Sequence, residues 1–483
     1  MNKKIIYYIL SNLFKILIFL FLFPLGISFY YGEGLRLYIS FIAPMLILGI
    51  LTYKFSRENP EDHSFFSKEG LVIVSLSWLL ISFFGAMPLY LSGNIDSFIS
   101  AFFESVSGFT TTGATIVSDI EAMHKSIIFW RSFTHLVGGM GVLVLVLAIL
   151  PKGNNKALYI MRAEVPGPSV GKLVAKMSYN SRILYIIYLT ITAILIILLM
   201  LGGMSFFDSC IHAFGTAGTG GFSSKNSSIA FYNSSYIHYV LGFGMLAFGL
   251  NFNLFYLLIL GNIKQVLKSE ETKYYLFFVF SSVTLICFNI YKTYDSFLKM
   301  VRDVFFTVSS IMTTTGFSTV DFGQWPLFSQ IILLLLMFIG GCAGSTAGGF
   351  KVARVVIVLK KIAKEFKKIG HPNKIINLKL DDKTVDKDMS EGVNTYFLLY
   401  VSVFLLLVLI VSLESNSFLT AFSAVAATFN NIGPGLDAVG PSYNFTNYSA
   451  LMKLVLSMSM LLGRLEIIPM LILISPKIYK DID

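Results

Sequence analysis

The stretch Ser310-Ile-Met-Thr-Thr-Thr-Gly316-Phe-Ser318 places three threonines before a glycine, between two long apolar runs. A nearly identical stretch, Ser107-Gly-Phe-Thr-Thr-Thr-Gly113-Ala-Thr115, occurs earlier in the chain. Two more divergent versions read Thr216-Ala-Gly-Thr-Gly-Gly221-Phe-Ser223 and Thr428-Phe-Asn-Asn-Ile-Gly433-Pro-Gly435. Gly113, Gly221, Gly316 and Gly433 are separated by 108, 95 and 117 residues. This spacing indicates four copies of one structural repeat.

A moderately apolar segment precedes each of these glycine stretches. Each segment is long enough for a short helix but falls well below the ~20 residues that a membrane-spanning helix needs. The pattern therefore predicts a repeat unit of helix, short re-entrant helix, glycine loop and helix. The predicted short helices lie in Phe98–Phe109, Cys210–Phe214, Val304–Met312 and Phe418–Phe429.

The composition requires a membrane. Of the 483 residues, 55% are hydrophobic and 13% are charged, and the mean hydropathy is +0.73. A soluble domain of this length could not bury so much apolar surface in one core. A bilayer can solvate it, so membrane lipid is the surrounding partner.

The basic residues are concentrated between alternate apolar runs. Twenty-seven of the 37 Lys and Arg residues lie in six segments. This is the positive-inside pattern, which predicts that these segments and both chain termini are cytoplasmic. The net charge of +10 thus reflects membrane topology and not a nucleic-acid partner. The six segments are 1–4, 54–68, 151–182, 264–273, 351–387 and 477–480.

Topology and repeats together predict an all-α polytopic membrane protein. An N-terminal transmembrane hairpin is followed by four parallel helix–pore-loop–helix repeats, in a pseudo-fourfold arrangement around a central pore. All four repeats enter the membrane from the cytoplasmic side. The expected units are the hairpin (1–55), repeat one (69–150), repeat two (181–263), repeat three (273–360), a cytoplasmic linker (361–392) and repeat four (393–478).

The Thr/Gly loops suit a dehydrated cation. Non-helical backbone persists inside a bilayer only where it is buried in protein or lines a water-filled path. Four such loops around one axis would replace an ion's hydration shell with carbonyl oxygens, and glycine reaches positive φ at no steric cost. The alternative is a set of ordinary turns or small-residue helix contacts. The expected ligand residues are Thr111, Thr112, Gly113, Thr219, Gly220, Gly221, Thr314, Thr315, Gly316, Asn431, Ile432 and Gly433.

A second glycine-rich stretch interrupts the last helix of repeat three. Each interior glycine costs a helix roughly 1 kcal/mol relative to alanine, so we expect an irregular loop that obstructs the pore as a gate. The alternative is close helix packing through small residues. The predicted gate residues are Gly340, Gly341, Cys342, Ala343, Gly344, Ser345, Thr346, Ala347, Gly348 and Gly349.

Arg464 lies within the apolar run Leu456–Leu473 of the final helix. A charged side chain at that depth is costly and points to function, so we expect Arg464 to act with the gate loop. A structural ion pair with another repeat is the alternative, although Glu466 lies on a different helix face. Arg131 and His135 of repeat one are expected to snorkel or pack nearer the outer end.

Other functional classes find little support. The three cysteines have no metal-ligand spacing, and the six histidines show no catalytic pairing. The protein is therefore not expected to be an enzyme. Two alternatives within transport remain: a sodium- or proton-coupled symporter of the same fold, and a secondary transporter of an organic solute.

The ordered set of motifs resembles the Trk/Ktr/HKT superfamily of potassium transporters, in particular the bacterial TrkH-like membrane subunit. The resemblance spans essentially the whole chain. The matching residues are the four Thr/Gly stretches, Trp130-Arg131, Gly138–Gly141, Ala163-Glu-Val-Pro-Gly-Pro168, Gly340–Gly349 and Gly463-Arg-Leu-Glu466.

The resemblance implies more than the spacing does. The transported ion would be K+, with Gly113, Gly221, Gly316 and Gly433 as the selectivity-filter glycines and with Arg464 and the Gly340–Gly349 loop as the gate. The family works as a homodimer in the bacterial plasma (inner) membrane, on a cytoplasmic ring of TrkA-like regulatory subunits that bind nucleotides. No organic cofactor is expected on this chain.

Overall fold

The computed structural model describes residues 3–57, 67–141, 177–371, 373, 377–381 and 383–474. The motif Ala163–Pro168, most of the basic segment 151–182 and the segment 477–480 lie outside these residues. The helices up to the end of repeat two are α1 (Lys3–Tyr31), α2 (Leu35–Ser56), α3 (Ser67–Leu91), α4 (Phe98–Phe109), α5 (Lys125–Gly139), α6 (Met177–Leu201), α7 (Phe206–Gly218), α8 (Ser235–Phe248), α9 (Phe252–Ile259) and α10 (Ile263–Lys268). The remaining helices are α11 (Glu270–Ile290), α12 (Phe297–Met312), α13 (Leu327–Ile339), α14 (Val352–Gly370), α15 (Lys387–Val411), α16 (Phe418–Phe429), α17 (Ala450–Arg464) and α18 (Ile468–Ile474).

Six helices in the described part of the chain are long and apolar enough to cross a membrane: α1, α2, and the spans Glu69–Leu91, Arg182–Leu201, Glu270–Thr293 and Lys387–Val411. Their outer faces expose aliphatic side chains, such as Leu405, Leu406 and Leu409 of α15. Lipid accepts such faces, since it is as apolar as the side chains themselves. The expected all-α polytopic class is confirmed.

The N-terminal hairpin packs against repeat one. Its turn uses Gly32 and Gly34 at positive φ, and Glu33 within that turn accepts a 3.0 Å hydrogen bond from the Ser126 backbone N–H at the start of α5. Further along α1 and α5, the ring centroids of Phe21 and Trp130 lie 4.7 Å apart. The hairpin therefore braces the second helix of repeat one.

The short helices α4, α7, α12 and α16 occupy the predicted re-entrant positions. The bounds of α4 and α16 agree with the sequence prediction, whereas α7 and α12 begin earlier than expected. Each follows a serine, a favoured residue at a helix N-cap. The side chains of Ser205, Ser296 and Ser417 accept a hydrogen bond from the backbone N–H three residues on, and Ser97 precedes α4.

The second helix of at least three repeats is interrupted. Helices α8 and α9 of repeat two meet at a bend of 93°, and the stretch between α13 and α14 in repeat three is irregular. In repeat four α17 ends at Arg464 and α18 begins at Ile468. The sequence predicted only the interruption in repeat three, because the apolar runs of the other two continue through their breaks. Arg464 therefore lies at a helix end, and not within one continuous helix over Leu456–Leu473 as expected.

Helix α14 continues to Gly370 and α15 begins at Lys387, so the non-helical part of the predicted linker is short. It contains an antiparallel pair, β1 (Lys379–Leu380) and β2 (Lys383–Thr384), in which Lys379 pairs with Thr384 and Leu380 with Lys383. We call residues 379–384 the linker hairpin.

Candidate functional site

After each short helix, the chain adopts the same backbone conformation. Thr111, Thr219, Thr314 and Asn431 have φ values of 55°, 56°, 57° and 57°, and the glycine two positions later has a φ of 78°, 76°, 83° or 97°. Left-handed backbone is uncommon for residues other than glycine. Its recurrence at four equivalent positions marks one shared structure. We call residues 110–113, 218–221, 313–316 and 430–433 the ring segments.

The glycines bring the ring segments into contact in sequence order. A Cβ added to Gly113 would overlap the carbonyl oxygen of Gly220, one on Gly221 that of Thr315, and one on Gly316 that of Ile432. The circle closes at Gly433, where an added Cβ would lie 2.8 Å from the carbonyl oxygen of Thr112. Each glycine thus leaves room for a carbonyl of the next repeat. The structure brings all twelve predicted ligand residues into one ring around a single axis.

Side chains within the ring follow a twofold pattern. In repeat one the hydroxyls of Thr110 and Thr112 lie 2.8 Å apart, and in repeat three those of Thr313 and Thr315 are also 2.8 Å apart. Repeats two and four have Gly218 and Gly220, and Asn430 and Ile432, at these positions. In the ring order described above, the two threonine pairs lie opposite each other.

Repeat four is joined to repeat one by an amide. The Asn431 Nδ2 group donates to the Thr112 hydroxyl at 2.9 Å and to the Met460 carbonyl at 3.0 Å. Asn430 accepts a hydrogen bond from the Tyr400 hydroxyl. The most divergent ring segment thus holds its place through side-chain amides where the others use hydroxyls or glycine.

A cavity of about 140 Å³ lies at the end of the ring where the segments leave it, and all four ring glycines line it. Loops of neighbouring repeats interlock around this cavity, as where Asn226 Nδ2 donates to Asp119 at 2.9 Å. In repeat four, Ser417 and Thr420 each donate to the Asp437 carboxylate at 2.6 Å. These hydrogen bonds hold the pKa of Asp437 below its usual value. They also tie the chain leaving the ring to the start of α16.

A buried ion pair supports the ring in repeat one. The Arg131 guanidinium lies 2.6 Å from the Glu104 carboxylate, and both side chains are almost fully buried. Glu104 also accepts hydrogen bonds from Thr115 and from the Ile116 backbone N–H. Of the two options that the sequence left open for Arg131, snorkelling and packing, the structure shows packing. Glu104 was missed, although it is the one acidic residue of the apolar helix α4.

His135 links repeat one to repeat two. The Phe222 backbone N–H donates to its Nε2 at 3.3 Å, so Nδ1 carries the proton and donates to the Gly108 carbonyl at 2.7 Å. A side chain on Gly220 would collide with the His135 imidazole. His135 is thus buried and neutral, and it packs against the ring segment of repeat two. Of the two options that the sequence left open, packing is correct.

The glycine loop (Gly340–Gly349) lies at the other end of the ring, where the segments enter it. Its Gly348 N–H donates to the Thr314 hydroxyl at 2.6 Å, and a Cβ on Gly348 would overlap the Asn430 carbonyl. The ends of the loop meet, because the Lys351 N–H donates to the Ile339 carbonyl at 2.9 Å. The loop therefore leaves α13, reaches the ring and returns to α14. It is irregular, so close helix packing is not its conformation.

Three further elements hold the glycine loop. The Cys342 N–H donates to the Gly249 carbonyl at 3.0 Å, at the bend in repeat two. The Ala343 N–H donates to the Glu271 carboxylate of α11 at 2.6 Å. The Lys351 ammonium donates to the Ala347 carbonyl. Lys351 is 1% exposed, although it begins the basic segment 351–387. A lysine at the start of a basic run gave no signal of burial.

Arg464 bonds to the loop from repeat four. Its guanidinium donates to the carbonyl oxygens of Thr346 at 2.8 Å, Gly138 at 2.6 Å and Gly139 at 2.8 Å. It thereby joins the loop of repeat three to the second helix of repeat one. Glu466 pairs instead with Arg354 of α14 at 2.7 Å. The predicted association of Arg464 with the loop is thus present in the structure.

Comparisons with known proteins agree with this geometry. The sequence model of the TrkH family, described as a cation transport protein, matches residues 36–301 and 289–481. The Trk system potassium uptake protein TrkH of Escherichia coli K12 is 34% identical, over 93% of this chain and 93% of that protein. The Escherichia coli K12 protein TrkG is 32% identical over 94% and 93%.

A solved structure gives the same result. The crystal structure of the potassium transporter TrkH from Vibrio parahaemolyticus superposes with a TM-score of 0.88 at 31% sequence identity. The superposition covers 99% of this chain and 100% of that one.

Proposed function

Since the chain belongs to the TrkH family of cation transport proteins, we propose that it conducts potassium across the membrane along the axis of the ring. It is a multi-pass membrane protein, and relatives that match nearly its whole length are named potassium uptake proteins. The single observation that carries the proposal is the closed circle of four identical backbone turns.

In this proposal the ring is the selectivity filter. Residues 111–113, 219–221, 314–316 and 431–433 supply carbonyl oxygens that replace the hydration shell of the ion. In each segment the left-handed residue and the glycine, both at positive φ, lie two positions apart, which lets carbonyls turn toward a common axis. Within a ring of fixed diameter, an ion of the wrong size is coordinated poorly.

The glycine loop and Arg464 form the gate. The loop touches the ring through Gly348, and Arg464 adds a fixed positive charge beside it. A cation that leaves the ring would meet both the loop backbone and this charge. Lys351 places a second buried basic side chain on the same side. Opening requires that the loop withdraw from beneath Thr314.

The cellular setting is proposed from the family. The chain would lie in the bacterial plasma membrane with both termini in the cytoplasm, consistent with its basic segments. It would act as a homodimer on a cytoplasmic ring of nucleotide-binding regulatory subunits. Potassium is the transported ion, and no organic cofactor belongs to this chain.

The test is uptake of rubidium-86 by the purified chain in liposomes loaded with potassium, with external potassium or sodium as competitor. We expect potassium to block the uptake and equimolar sodium to leave it largely unchanged. Equal block by both ions would refute the potassium assignment.

Deletion of part of the glycine loop tests whether low rubidium uptake by the intact chain reflects a closed pore or a protein that does not conduct. Removal of residues 342–347 leaves Gly341 and Gly348 to be joined, and these residues lie near the closed base of the loop. We expect this variant to take up rubidium at least tenfold faster than the intact chain, with unchanged selectivity. A correctly folded deletion variant that remains inactive would refute the gate.

A further inference from the structure

Two adjacent glutamates at the start of α11 bond to different parts of the molecule. The Glu271 side chain is buried and accepts the hydrogen bond from the Ala343 N–H in the glycine loop. Glu270 is ion-paired with Lys360 of α14. Glu270 also contacts the linker hairpin, because its N–H donates to the Asp381 carboxylate at 2.7 Å and its carboxylate accepts from the Asp381 N–H at 3.2 Å.

The contact of Glu271 with the loop is short and buried. Ala343 follows Cys342, whose N–H donates to the Gly249 carbonyl at the bend in repeat two. The buried Ala343 N–H needs an acceptor, because an unpaired polar group in the interior is costly. Loss of the carboxylate would therefore leave the middle of the loop held by fewer and weaker bonds.

The contacts of Glu270 close a circle of hydrogen bonds at the first turn of α11. Lys360 donates both to Glu270 and, at 2.8 Å, to the Lys379 carbonyl of the hairpin. Helix α14 begins directly after the loop, and Lys360 lies nine residues beyond Lys351, or about 14 Å along the helix. The linker hairpin thus contacts α11, which bonds to the glycine loop through Glu271, and α14, which follows the loop in the chain.

We propose that Glu270 and Glu271 form a clamp through which the position of the linker hairpin controls the mobility of the glycine loop. When the hairpin is seated, Asp381 and Lys360 fix the first turn of α11, and Glu271 holds Ala343. When the hairpin is displaced, the first turn of α11 is released and the loop is freed. The clamp rests on the proposed function only in treating the loop as the gate.

The native cysteine in the loop reports its mobility without any transport. Cys342 is fully buried, whereas Cys210 and Cys287 are partly exposed. In a Cys210→Ala, Cys287→Ala background, the rate of maleimide labelling of Cys342 in the full-length chain in liposomes measures how often the loop opens. This rate does not depend on which ion passes.

Variants on both sides of the clamp should label faster. We expect Glu271→Ala to raise the labelling rate about tenfold, because the buried Ala343 N–H would lose its acceptor. Glu271→Gln, whose amide oxygen can still accept from Ala343, should remain within twofold of the parent. Equal labelling of the Gln and Ala variants would overturn the role of Glu271 as the acceptor.

The decisive variant is remote from the loop. Asp381 is exposed and has a φ of 50°, so Asp381→Gly removes its carboxylate without straining the turn. We expect an increase of about threefold in Cys342 labelling. The control Glu391→Ala breaks an exposed pair with Lys387 in the same region and should change nothing. An unchanged rate in Asp381→Gly would overturn the clamp.

Rubidium uptake by the same variants separates this inference from the proposed function. Faster labelling with faster uptake supports both. Faster labelling with unchanged uptake supports the clamp and shows that the loop is not the gate.

Discussion

The ring and the glycine loop lie in contact, yet they are built in opposite ways. The ring takes one segment from each of four repeats, and all four share a left-handed residue two positions before a glycine. The loop comes from repeat three alone, and Arg464 of repeat four holds it. The ring keeps its backbone while its side chains vary, whereas the loop depends on particular bonds to its neighbours.

This difference separates two functions of a pore. Coordination of a bare ion needs oxygens on all sides, so every repeat must supply the same backbone. Obstruction needs one element that can move, so one repeat is sufficient. A substitution in the ring should therefore change which ion passes, and a substitution at the loop should change how much passes.

The largest effect is expected in the ring. Gly316→Ser adds a Cβ that overlaps the Ile432 carbonyl, at a φ of 83°. Left-handed backbone alone costs an L-residue about 2 kcal/mol, which corresponds to about thirtyfold in an equilibrium. We expect discrimination between potassium and sodium to fall by that order, measured by sodium competition of rubidium uptake.

Its control is Gly392→Ser on α15, where an added Cβ meets no atom within 4 Å. This variant should keep the parent's selectivity. Unchanged selectivity in folded Gly316→Ser would show that Gly316 is not part of the filter. It would also contradict the assignment of ion selectivity to the ring.

Much of the ring could be predicted from the sequence, because a repeated motif reports a repeated structure. Thr110–Gly113 and Thr313–Gly316 match residue for residue. Their common pattern allows the more divergent segments that end at Gly221 and Gly433 to be aligned with them. The bounds of α4 and α16 also followed from their apolar pattern.

The contacts between repeats could not be predicted in this way. The pairing of Glu104 with Arg131 and the seating of Glu271 on Ala343 join residues that are distant in sequence. Periodicity carries no information about such pairs. The break after Arg464 was hidden because apolar residues continue on both sides of it.

The second-largest change in transport is expected where Arg464 bonds to the glycine loop. Arg464→Ala removes donors to Thr346, Gly138 and Gly139. A hydrogen bond from a charged group contributes roughly 1.5–3 kcal/mol, so we expect basal rubidium uptake to rise about tenfold. Selectivity should not change.

Arg464→Lys tests what the arginine supplies. Lysine keeps the charge but cannot reproduce the planar fork that reaches several carbonyls at once. An uptake rate between the parent and Arg464→Ala indicates that both charge and geometry hold the gate. Lower uptake in folded Arg464→Ala would show that the residue supports the structure and does not close the pore.

The smallest effect is expected where the two regions touch. Thr314→Val keeps the shape of the side chain but removes the hydroxyl that accepts from the Gly348 N–H. Thr219→Val makes the same change at the equivalent position of repeat two, where the hydroxyl donates to the Gly218 carbonyl within its own segment. One neutral hydrogen bond contributes about 1 kcal/mol, so Thr314→Val should raise uptake about threefold, and Thr219→Val should leave uptake unchanged. Because valine leaves the backbone carbonyls in place, neither variant should alter potassium preference. A shift of selectivity in Thr314→Val alone would mean that the loop sets the geometry of the ring as well as blocking its exit, and the two regions would then be one functional unit.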